Sequence, residues 1–382
     1  MRLRSVLFVG ALGLVLFELA NVYFIMPLPG SQRIQSLQIA YAIYQWRWPV
    51  RALGCVLVLA GLRDAWRAGR GWRIGGGLAI AAAAAVAYGA NFVMAADQMF
   101  KPPRSLILKP AAQNQVPGDR LVVAVDLDGE ARAYPIRFVG YHHQVRDTVA
   151  GRELLVTYCT VCRTGRVFSP LVDGKSERFR LVGMDNWNAM FEDATTGSWW
   201  RQATGAAVAG SRAGARLTVI PSQQTTLHEW LELHPASLVM QADPAFADAY
   251  AKDDVYEKGT SRKTLTGTDP DSWKEKSWVV GVSLGGSSKA YDWNRLRRER
   301  VINDAVGKTP IVLVLAADGA SFFAFERPDV ETVFELREES LVSSFGTYTL
   351  WGTSSSGSLK PIAASQEFWH SWRTFHPDTQ RY

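Results

Sequence analysis

The sequence has few cysteines and histidines, and it lacks the short motifs that mark several common enzyme classes. It contains 3 Cys and 6 His in 382 residues. It has no Walker loop, dinucleotide-binding fingerprint, nucleophile elbow or zinc-protease helix. Structural zinc sites need four Cys or His ligands, and the chain has no second cysteine pair. These absences exclude the corresponding nucleotide-binding, hydrolase and four-cysteine zinc classes.

Acidic residues are scarce at the start of the chain. Residues 1–104 have a net charge of +8 and residues 105–382 a net charge of −2, within a total of +6. The basic excess consists of arginines that flank apolar stretches. The high pI therefore gives no support for nucleic-acid binding, and we expect no nucleic-acid partner.

Apolar runs before residue 100 predict membrane helices. Ser5–Met26 and Ile74–Ala96 are each long enough to cross a bilayer. Trp48–Leu62 is shorter and contains Arg51, so it spans only if its helix starts earlier or if the arginine reaches the interface. We expect about three transmembrane helices within residues 1–104, the first retained as an anchor rather than cleaved as a signal peptide.

The placement of arginines predicts an orientation. Two arginines precede the first apolar run, and four lie between the second and third runs: Arg2, Arg4, Arg63, Arg67, Arg70 and Arg73. By the positive-inside rule these clusters are cytoplasmic. Residues 105–382 then form an extracytoplasmic domain on a bacterial inner (cytoplasmic) membrane. Glu18, inside the first run, is expected to be protonated or paired with a polar group on a neighbouring helix.

The region after residue 105 is typical of an α+β fold rich in strands, and it contains an internal repeat. The segment VVAVDLDGEARAYPIRF resembles VVGVSLGGSSKAYDWNR, and each copy is followed later by His-x-Trp-x-x-apolar-His-Pro, at His228 and at His370. Two blocks in the same order predict two related β-rich halves, at about 118–236 and 275–382. Because His228, His370 and their partners occur in both halves, we assign these histidines a structural role at helix ends.

Cys159 and Cys162 are the candidate site because the cysteine pair is not repeated. The second half has Ala316 and Gly319 at the corresponding positions. The pair lies in VTYCTVCR, at the end of a β-branched run. We expect the two sulfur atoms at an accessible corner between two strands, on the oxidising side of the membrane.

Three interpretations of this pair remain open. The first is a structural disulfide. The second is thiol–disulfide exchange, with Cys159 attacking, Cys162 resolving and His142 acting as a base. The third is a copper or zinc site with Cys159, Cys162 and His142 as ligands. His142 joins the set because a turn at Ala150-Gly151 would bring its segment beside the cysteine strand. The cofactor is unknown, and the partners are a membrane and an unidentified protein or small molecule.

These residues carry a family resemblance. The matching segments are Ala133-Tyr134-Pro135, His142, Asp147-Thr148-Val149, VTYCTVC with Arg166-Val167-Phe168, and TGSWWRQATG. Together they resemble the bacterial domain of unknown function 3179 over roughly residues 105–382. That family usually has Cys-Pro-Leu-Cys followed by Gly or Asn, whereas this chain has Thr160, Val161 and Arg163. Selenocysteine in some members implies redox chemistry, but the resemblance implies no defined activity.

Overall fold

The computed structural model describes residues 3–34, 36–251, 255–355 and 357–382. The chain forms two compact units, each named here by its main content. The helical unit comprises Met1–Lys101, Arg178–Arg201 and Ala206–Ala215. The β-rich unit comprises Pro102–Glu177, Gln202–Gly205 and Arg216–Tyr382. The chain is therefore α+β, with an N-terminal helical region and several β-sheets, as the sequence predicts. Arg2, used in the orientation argument, lies outside the described residues.

Five α-helices are described within the first hundred residues. They are α1 (Leu3–Ile25), α2 (Leu37–Gln45), α3 (Arg47–Arg67), α4 (Arg70–Tyr88) and α5 (Ala96–Met99). A π-helical segment, Gly89–Val93, continues α4.

The expectation of about three membrane helices is wrong for the described residues. Only two stretches are long and apolar enough to cross a bilayer, Arg4–Ile25 and Arg70–Val93. Helix α3 is long, but its charged residues leave only Ala52–Leu62 uncharged between Arg51 and Arg63. That run is about 16 Å long at 1.5 Å per residue, against a hydrocarbon core of about 30 Å.

Small residues allow α3 to pack closely along α1. A Cβ added at Gly54 would lie 2.5 Å from Leu14 Cγ, and one added at Gly61 would lie 2.5 Å from the backbone nitrogen of Leu7. The contact positions run in opposite directions along the chain, so α1 and α3 are antiparallel. By contrast, the guanidinium of Arg4 at the start of α1 lies 4.5 Å from the ring centre of Trp72 near the start of α4. Helices α1 and α4 therefore begin at the same end of the helical unit.

The outer faces of these helices are apolar. Large hydrophobic side chains that are more than half exposed occur on all three long helices: Leu12, Leu16 and Leu19 on α1, Leu53, Val56 and Leu59 on α3, and Ile74 and Leu78 on α4. Soluble proteins rarely leave an apolar surface of this extent uncovered.

The strands and helices between residues 108 and 251 follow in chain order. They are β1 (Leu108–Pro110), β2 (Leu121–Leu127), β3 (Glu130–Pro135), α6 (Ile136–His142), β4 (Gln144–Val149), β5 (Arg152–Cys159), β6 (Thr164–Phe168), β7 (Leu171–Val172), β8 (Lys175–Ser176), β9 (Phe179–Asp185), β10 (Asn188–Asp193), β11 (Trp199–Arg201), β12 (Ala207–Ala209), β13 (Val219–Ile220), β14 (Gln223–Thr226), α7 (Leu227–Leu233), β15 (Leu238–Met240) and α8 (Ala247–Ala251).

A further series runs from residue 278 to the end of the chain. It comprises β16 (Trp278–Leu284), β17 (Ser287–Asp292), α9 (Trp293–Glu299), β18 (Val301–Val306), β19 (Thr309–Leu315), β20 (Phe322–Glu326), β21 (Glu335–Arg337), β22 (Ser340–Ser343), β23 (Gly346–Thr349), β24 (Thr353–Ser354), β25 (Gly357–Ser358), β26 (Ala364–Phe368), α10 (Trp369–Phe375) and β27 (Gln380–Arg381).

The helical unit also has a sheet of its own. Its strand order is β12-β11-β10-β9. Trp199 of β11 is buried and packs against two tyrosines of α2, with ring centres 5.1 Å from Tyr41 and 5.3 Å from Tyr44. The adjacent tryptophans 199 and 200 are thus core residues of this unit.

The strands of the β-rich unit form two sets of neighbours. In the first set, β14-β2-β3-β15 lie side by side in one sheet and β6-β5-β4 in another. In the second set the corresponding orders are β26-β16-β17-β27 and β20-β19-β18. Both four-strand rows end in a parallel pair, β15 with β3 and β27 with β17.

Each set of strands contacts a hairpin turn of the other set through side-chain hydroxyls. In one direction, Thr225 of β14 donates its hydroxyl hydrogen to Ser321 Oγ, at 2.8 Å, beside the β19–β20 turn. In the other, the hydroxyls of Thr164, beside the β5–β6 turn, and Ser371, in α10, lie 3.3 Å apart. The cysteine turn is therefore covered by β26 and α10.

Candidate functional site

The two cysteines lie in one hairpin turn, as the sequence predicts. Strands β5 and β6 are antiparallel, with Cys159 opposite Thr164. The connection contains Val161, Cys162 and Arg163, of which Arg163 has a φ of 55°. A left-handed conformation favours Gly or Asn, the residues that the resembled family commonly has at this position. Arg163 must therefore be held by its side-chain contacts.

The expectation of an accessible corner is wrong. Cys159 and Cys162 are both 0% exposed. The reason can be seen in the strand itself, because Leu154–Cys159 is buried throughout. A continuous apolar run of this kind is typical of a strand covered on both faces, and not of one that ends at the surface.

A buried lysine lies against the turn. The Nζ of Lys276 donates to the carbonyl oxygens of Val161 and Leu265, both at 2.7 Å, and lies 3.2 Å from His370 Nε2. Val161 lies between the two cysteines in sequence. Its carbonyl oxygen is also 3.2 Å from His370 Nε2, and the N–H of Phe368 donates to the carbonyl oxygen of Cys162 at 2.9 Å. An ammonium and an imidazole thus contact the middle of the Cys-x-x-Cys segment.

The pKa values of Lys276 and His370 are both shifted in this cluster. Burial lowers the pKa of Lys276, and the nearby thiols of Cys162 and Cys159 oppose that shift. Burial, followed by the charge of Lys276, lowers the pKa of His370 to about 3. His370 is therefore neutral at physiological pH. Among the described residues, no carboxylate lies within ion-pair distance of Lys276.

Arg163 extends to the other side of the turn. It is fully buried, and its guanidinium lies 3.6 Å from the ring centre of Trp278. Its Nε donates to Gln366 Oε1 at 2.8 Å, and one Nη donates to the carbonyl oxygen of Glu257 at 2.9 Å. These contacts span three separate segments, so Arg163 fixes the turn to the surrounding structure.

Further buried polar residues tie the hairpin to the end of the chain. Arg166 of β6 forms an ion pair with Glu367, which also accepts the hydroxyl hydrogen of Ser371 at 3.0 Å. From the other side, Gln202 donates to Thr157 Oγ1 at 3.0 Å and to the carbonyl oxygen of Thr164 at 2.9 Å. Fully satisfied buried networks of this kind hold a unique geometry.

His142 has a hydrogen-bond partner outside the cysteine turn. Its buried ring Nε2 lies 2.7 Å from the hydroxyl of Tyr250, and Phe246 packs against it at 5.1 Å. The predicted hairpin exists, because β4 pairs with β5 from Gln144 opposite Thr157 onwards. The role of His142 as a base or metal ligand remains a prediction.

Lys276 and His370 were not predicted as site residues from the sequence. His370 was assigned a structural role, because the same His-x-Trp pattern occurs at His228. The structure separates the two, since His228 is exposed and His370 is 5% exposed. No local motif marks Lys276, which lies just before β16. Over the described residues, no group of three or more His, Cys, Asp or Glu side chains could hold a metal ion.

The sequence is similar to a known protein family. A family model described as a protein of unknown function (DUF3179) matches residues 106–379. No match was found among curated proteins or among solved structures.

Proposed function

The chain belongs to the DUF3179 family, and from that premise we propose that it is a membrane-anchored thiol protein with a redox-active Cys159–Cys162 pair. The observation that carries the proposal is the Lys276 ammonium, bound at 2.7 Å to the carbonyl oxygen of Val161 between the two cysteines.

A buried cation needs a compensating anion. Removing an ammonium from water costs several kcal/mol, and a nearby opposite charge offsets that cost. Lys276 has no carboxylate within ion-pair distance among the described residues, while Cys162 and Cys159, followed by Glu275 and Asp269, raise its pKa against the effect of burial. A thiolate on either cysteine would supply the missing negative charge, and a neighbouring lysine favours the thiolate form.

The reaction we propose is exchange with a small disulfide, since the buried thiols exclude a bulky partner in this conformation. The thiolate attacks one sulfur of the small disulfide and releases the other sulfur as a thiolate. The second cysteine then loses its proton and attacks the mixed disulfide, which releases the remaining small thiolate. The protein dithiol is oxidised by two electrons to a disulfide, and the small disulfide is reduced to two thiols.

The full burial of both cysteines favours a second candidate, a non-catalytic module with a structural disulfide. The two candidates differ in reduction potential. Structural disulfides have potentials below about −300 mV and resist reduction by small thiols, whereas redox-active disulfides have higher potentials. A copper or zinc site remains the third possibility to be tested.

We also propose that the β-rich unit lies on the extracytoplasmic side of a bacterial inner membrane. The candidate spans in α1 and α4 begin at the same end of the helical unit, as Arg4 and Trp72 show. The arginines between α3 and α4 gather at this end, which the positive-inside rule makes cytoplasmic. In this proposal α3, which is antiparallel to α1, returns the chain to the cytoplasmic end with Arg51 paired to Glu18 inside the helical unit. Residues after Val93 then emerge on the opposite side, where disulfide chemistry is supported.

The two sets of strands are, in this proposal, duplicated halves. Their four-strand rows have the same order and the same parallel end pair. In each set a helix with the His-x-Trp pattern, α7 or α10, precedes the last strand of the row. The cysteine pair is then an addition to one copy of a shared scaffold.

The test is redox titration of the full chain in detergent against buffers of small thiol and disulfide. We expect a single two-electron transition above about −300 mV, read by thiol labelling. Replacement Lys276→Met is expected to lower the labelling rate of the reduced pair about tenfold near neutral pH, whereas Lys274→Met, at an exposed position, should leave it unchanged.

Three outcomes would contradict the redox proposal. A pair that stays oxidised under strong reductant would show a structural disulfide. Equal labelling rates in Lys276→Met and Lys274→Met would remove the role of the ammonium. Stoichiometric metal that disappears in Cys159→Ser would show a metal site.

A further inference from the structure

The helical unit contains a cavity that neither the thiol site nor the anchoring role uses. Its volume is about 920 Å³, close to the upper end of the range for small-molecule sites. It lies between α1, α3 and α4, and Arg180 of β9 lines one part of it. Most of its wall is apolar: Leu14, Val22, Val58, Ile80, Ala84 and Ala87.

A buried polar cluster lies partway along this cavity. Arg51 of α3 forms two hydrogen bonds with the carboxylate of Glu18, at 2.7 and 3.0 Å. Asn91 accepts from Arg51 at 2.7 Å and donates to Glu18 at 3.0 Å. Glu18 is thus paired, one of the two outcomes expected from the sequence. The cluster is internally satisfied and leaves no charge for a ligand.

The end of the cavity nearest α2 carries an unpaired positive charge. Arg180 pairs with Asp97 at 3.2 Å. Arg47, at the start of α3, donates to the carbonyl oxygen of Tyr44 at 2.6 Å. Its guanidinium carbon lies 3.6 Å from the centre of the Tyr44 ring. No carboxylate lies within ion-pair distance of Arg47 in the part of the chain that the structure describes. A guanidinium in this position matches a phosphate group.

A second polar group lacks a partner. Asn21 lines the cavity and is only 8% exposed, and its Oδ1 is buried without a hydrogen bond among the described residues. A buried acceptor left unpaired costs about 1–3 kcal/mol. A hydroxyl donor from a bound molecule would remove that cost.

We propose that this cavity binds an acidic phospholipid with a hydroxyl-bearing head group. The phosphate pairs with Arg47, a head-group hydroxyl donates to Asn21 Oδ1, and an acyl chain lies along Leu14, Val58 and Ile80. These groups follow one another in the order of a phospholipid, from head group to acyl chain. Along α1, Asn21 comes first, Glu18 follows about one turn closer to the N-terminus, and Leu14 lies one turn further. The inference rests on the membrane anchoring proposed above.

The experiment is native mass spectrometry of the full chain in mild detergent, after delipidation and titration with phosphatidylglycerol or phosphatidylcholine of identical acyl chains. We expect phosphatidylglycerol to bind at least tenfold more tightly. Arg47→Gln should reduce the affinity for phosphatidylglycerol about tenfold, because it removes the partner of the phosphate. Ala84→Trp, which fills the apolar part, should abolish binding of both lipids.

Two matched variants serve as controls. Arg33→Gln removes an exposed arginine away from the cavity, and Ala81→Trp adds the same bulk to an exposed position of α4 that does not line it. Both should bind like the wild type. Equal affinity for the two lipids, or binding unaffected by Arg47→Gln or by Ala84→Trp, would overturn the lipid site. Recovery of the chain from the soluble fraction would instead refute the membrane anchor.

Discussion

The β5–β6 and β19–β20 turns of the β-rich unit are stabilised in different ways. The β19–β20 turn is held partly by its own residues, because Asp318 accepts hydrogen bonds from the N–H groups of Ala320 and Ser321 at 2.9 and 2.8 Å, in addition to the contact from Thr225. The β5–β6 turn is held from outside, by Lys276 bound to the carbonyl oxygen of Val161. Local residues are sufficient to stabilise a turn, so the buried cation at the cysteine turn is consistent with the redox role proposed above.

The helices α7 and α10 show the same divergence. In both, the second histidine of the pattern lies against the tryptophan, with ring centres 4.0 Å apart for Trp230 and His234 and 3.7 Å apart for Trp372 and His376. The first histidines differ, because only His370 is buried against the cysteine turn. A repeated pattern thus identifies the structural residue, while the burial supplied by other segments decides which copy joins a site.

The largest effect is expected at Arg163. Arg163→Ala removes the contacts with Trp278, Gln366 and Glu257, and it should lower the free energy of unfolding by about 3–4 kcal/mol. Arg163→Gly should cost about 1 kcal/mol less, because glycine relieves the positive φ of 55°. Denaturant unfolding of the full chain in detergent measures both. The exposed Arg297→Ala is the control, expected within about 0.5 kcal/mol of wild type; a similar value for Arg163→Ala would contradict the argument.

The β19–β20 turn should be less sensitive to substitution. Asp318→Ala removes the acceptor for Ala320, Ser321 and the hydroxyl of Thr226, and it should cost about 1–2 kcal/mol. Thiol labelling of Cys159 and Cys162 should remain at the wild-type rate, since Thr226, Ala320 and Ser321 lie outside the cysteine turn. Asp271→Ala, at an exposed position, is the matched control. A change in thiol labelling in Asp318→Ala would show that the turns are coupled.

The buried histidine predicts a dependence on pH. The pKa of His370 is about 3 in the folded chain, below its ordinary value of 6.5. Between these values the unfolded chain binds more protons, so stability falls as the pH drops from about 6.5 towards 3, by at most about 1.4 kcal/mol per pH unit. His370→Gln should flatten this slope in unfolding curves between pH 6.5 and 4.5. His228→Gln should not, and equal slopes in the two variants would disprove the assignment.

The smallest effect is expected for Cys159→Ala. The sequence repeat aligns Ala316 with Cys159, and both residues are buried. Cys159→Ala should therefore cost about 1 kcal/mol or less, since it removes one small buried group. Thermal unfolding measures the change, and Ala316→Ser is the control for a polar group in the same place. A loss above about 3 kcal/mol would mean that the cysteine is a structural requirement.

Part of this architecture could be predicted from the sequence, and part of it could not. The hairpin that contains Cys159 and Cys162 could be predicted because β-branched residues and turn residues act locally. The burial of the pair could not, because Lys276 and His370 reach it from more than a hundred residues away. The length of the apolar run Trp48–Leu62 was overestimated for a local reason, since Arg51 and Arg63 shorten its uncharged part.

The distance between the cysteine turn and its cover has a consequence for biosynthesis. Ser371, which lies beside Thr164 in the finished fold, is made 207 residues later. At about 5–20 residues per second, translation takes about 10–40 s to supply it. During that interval the nascent chain presents both thiols to the surrounding medium. The compartment can therefore oxidise or reduce the cysteine pair before α10 packs over it.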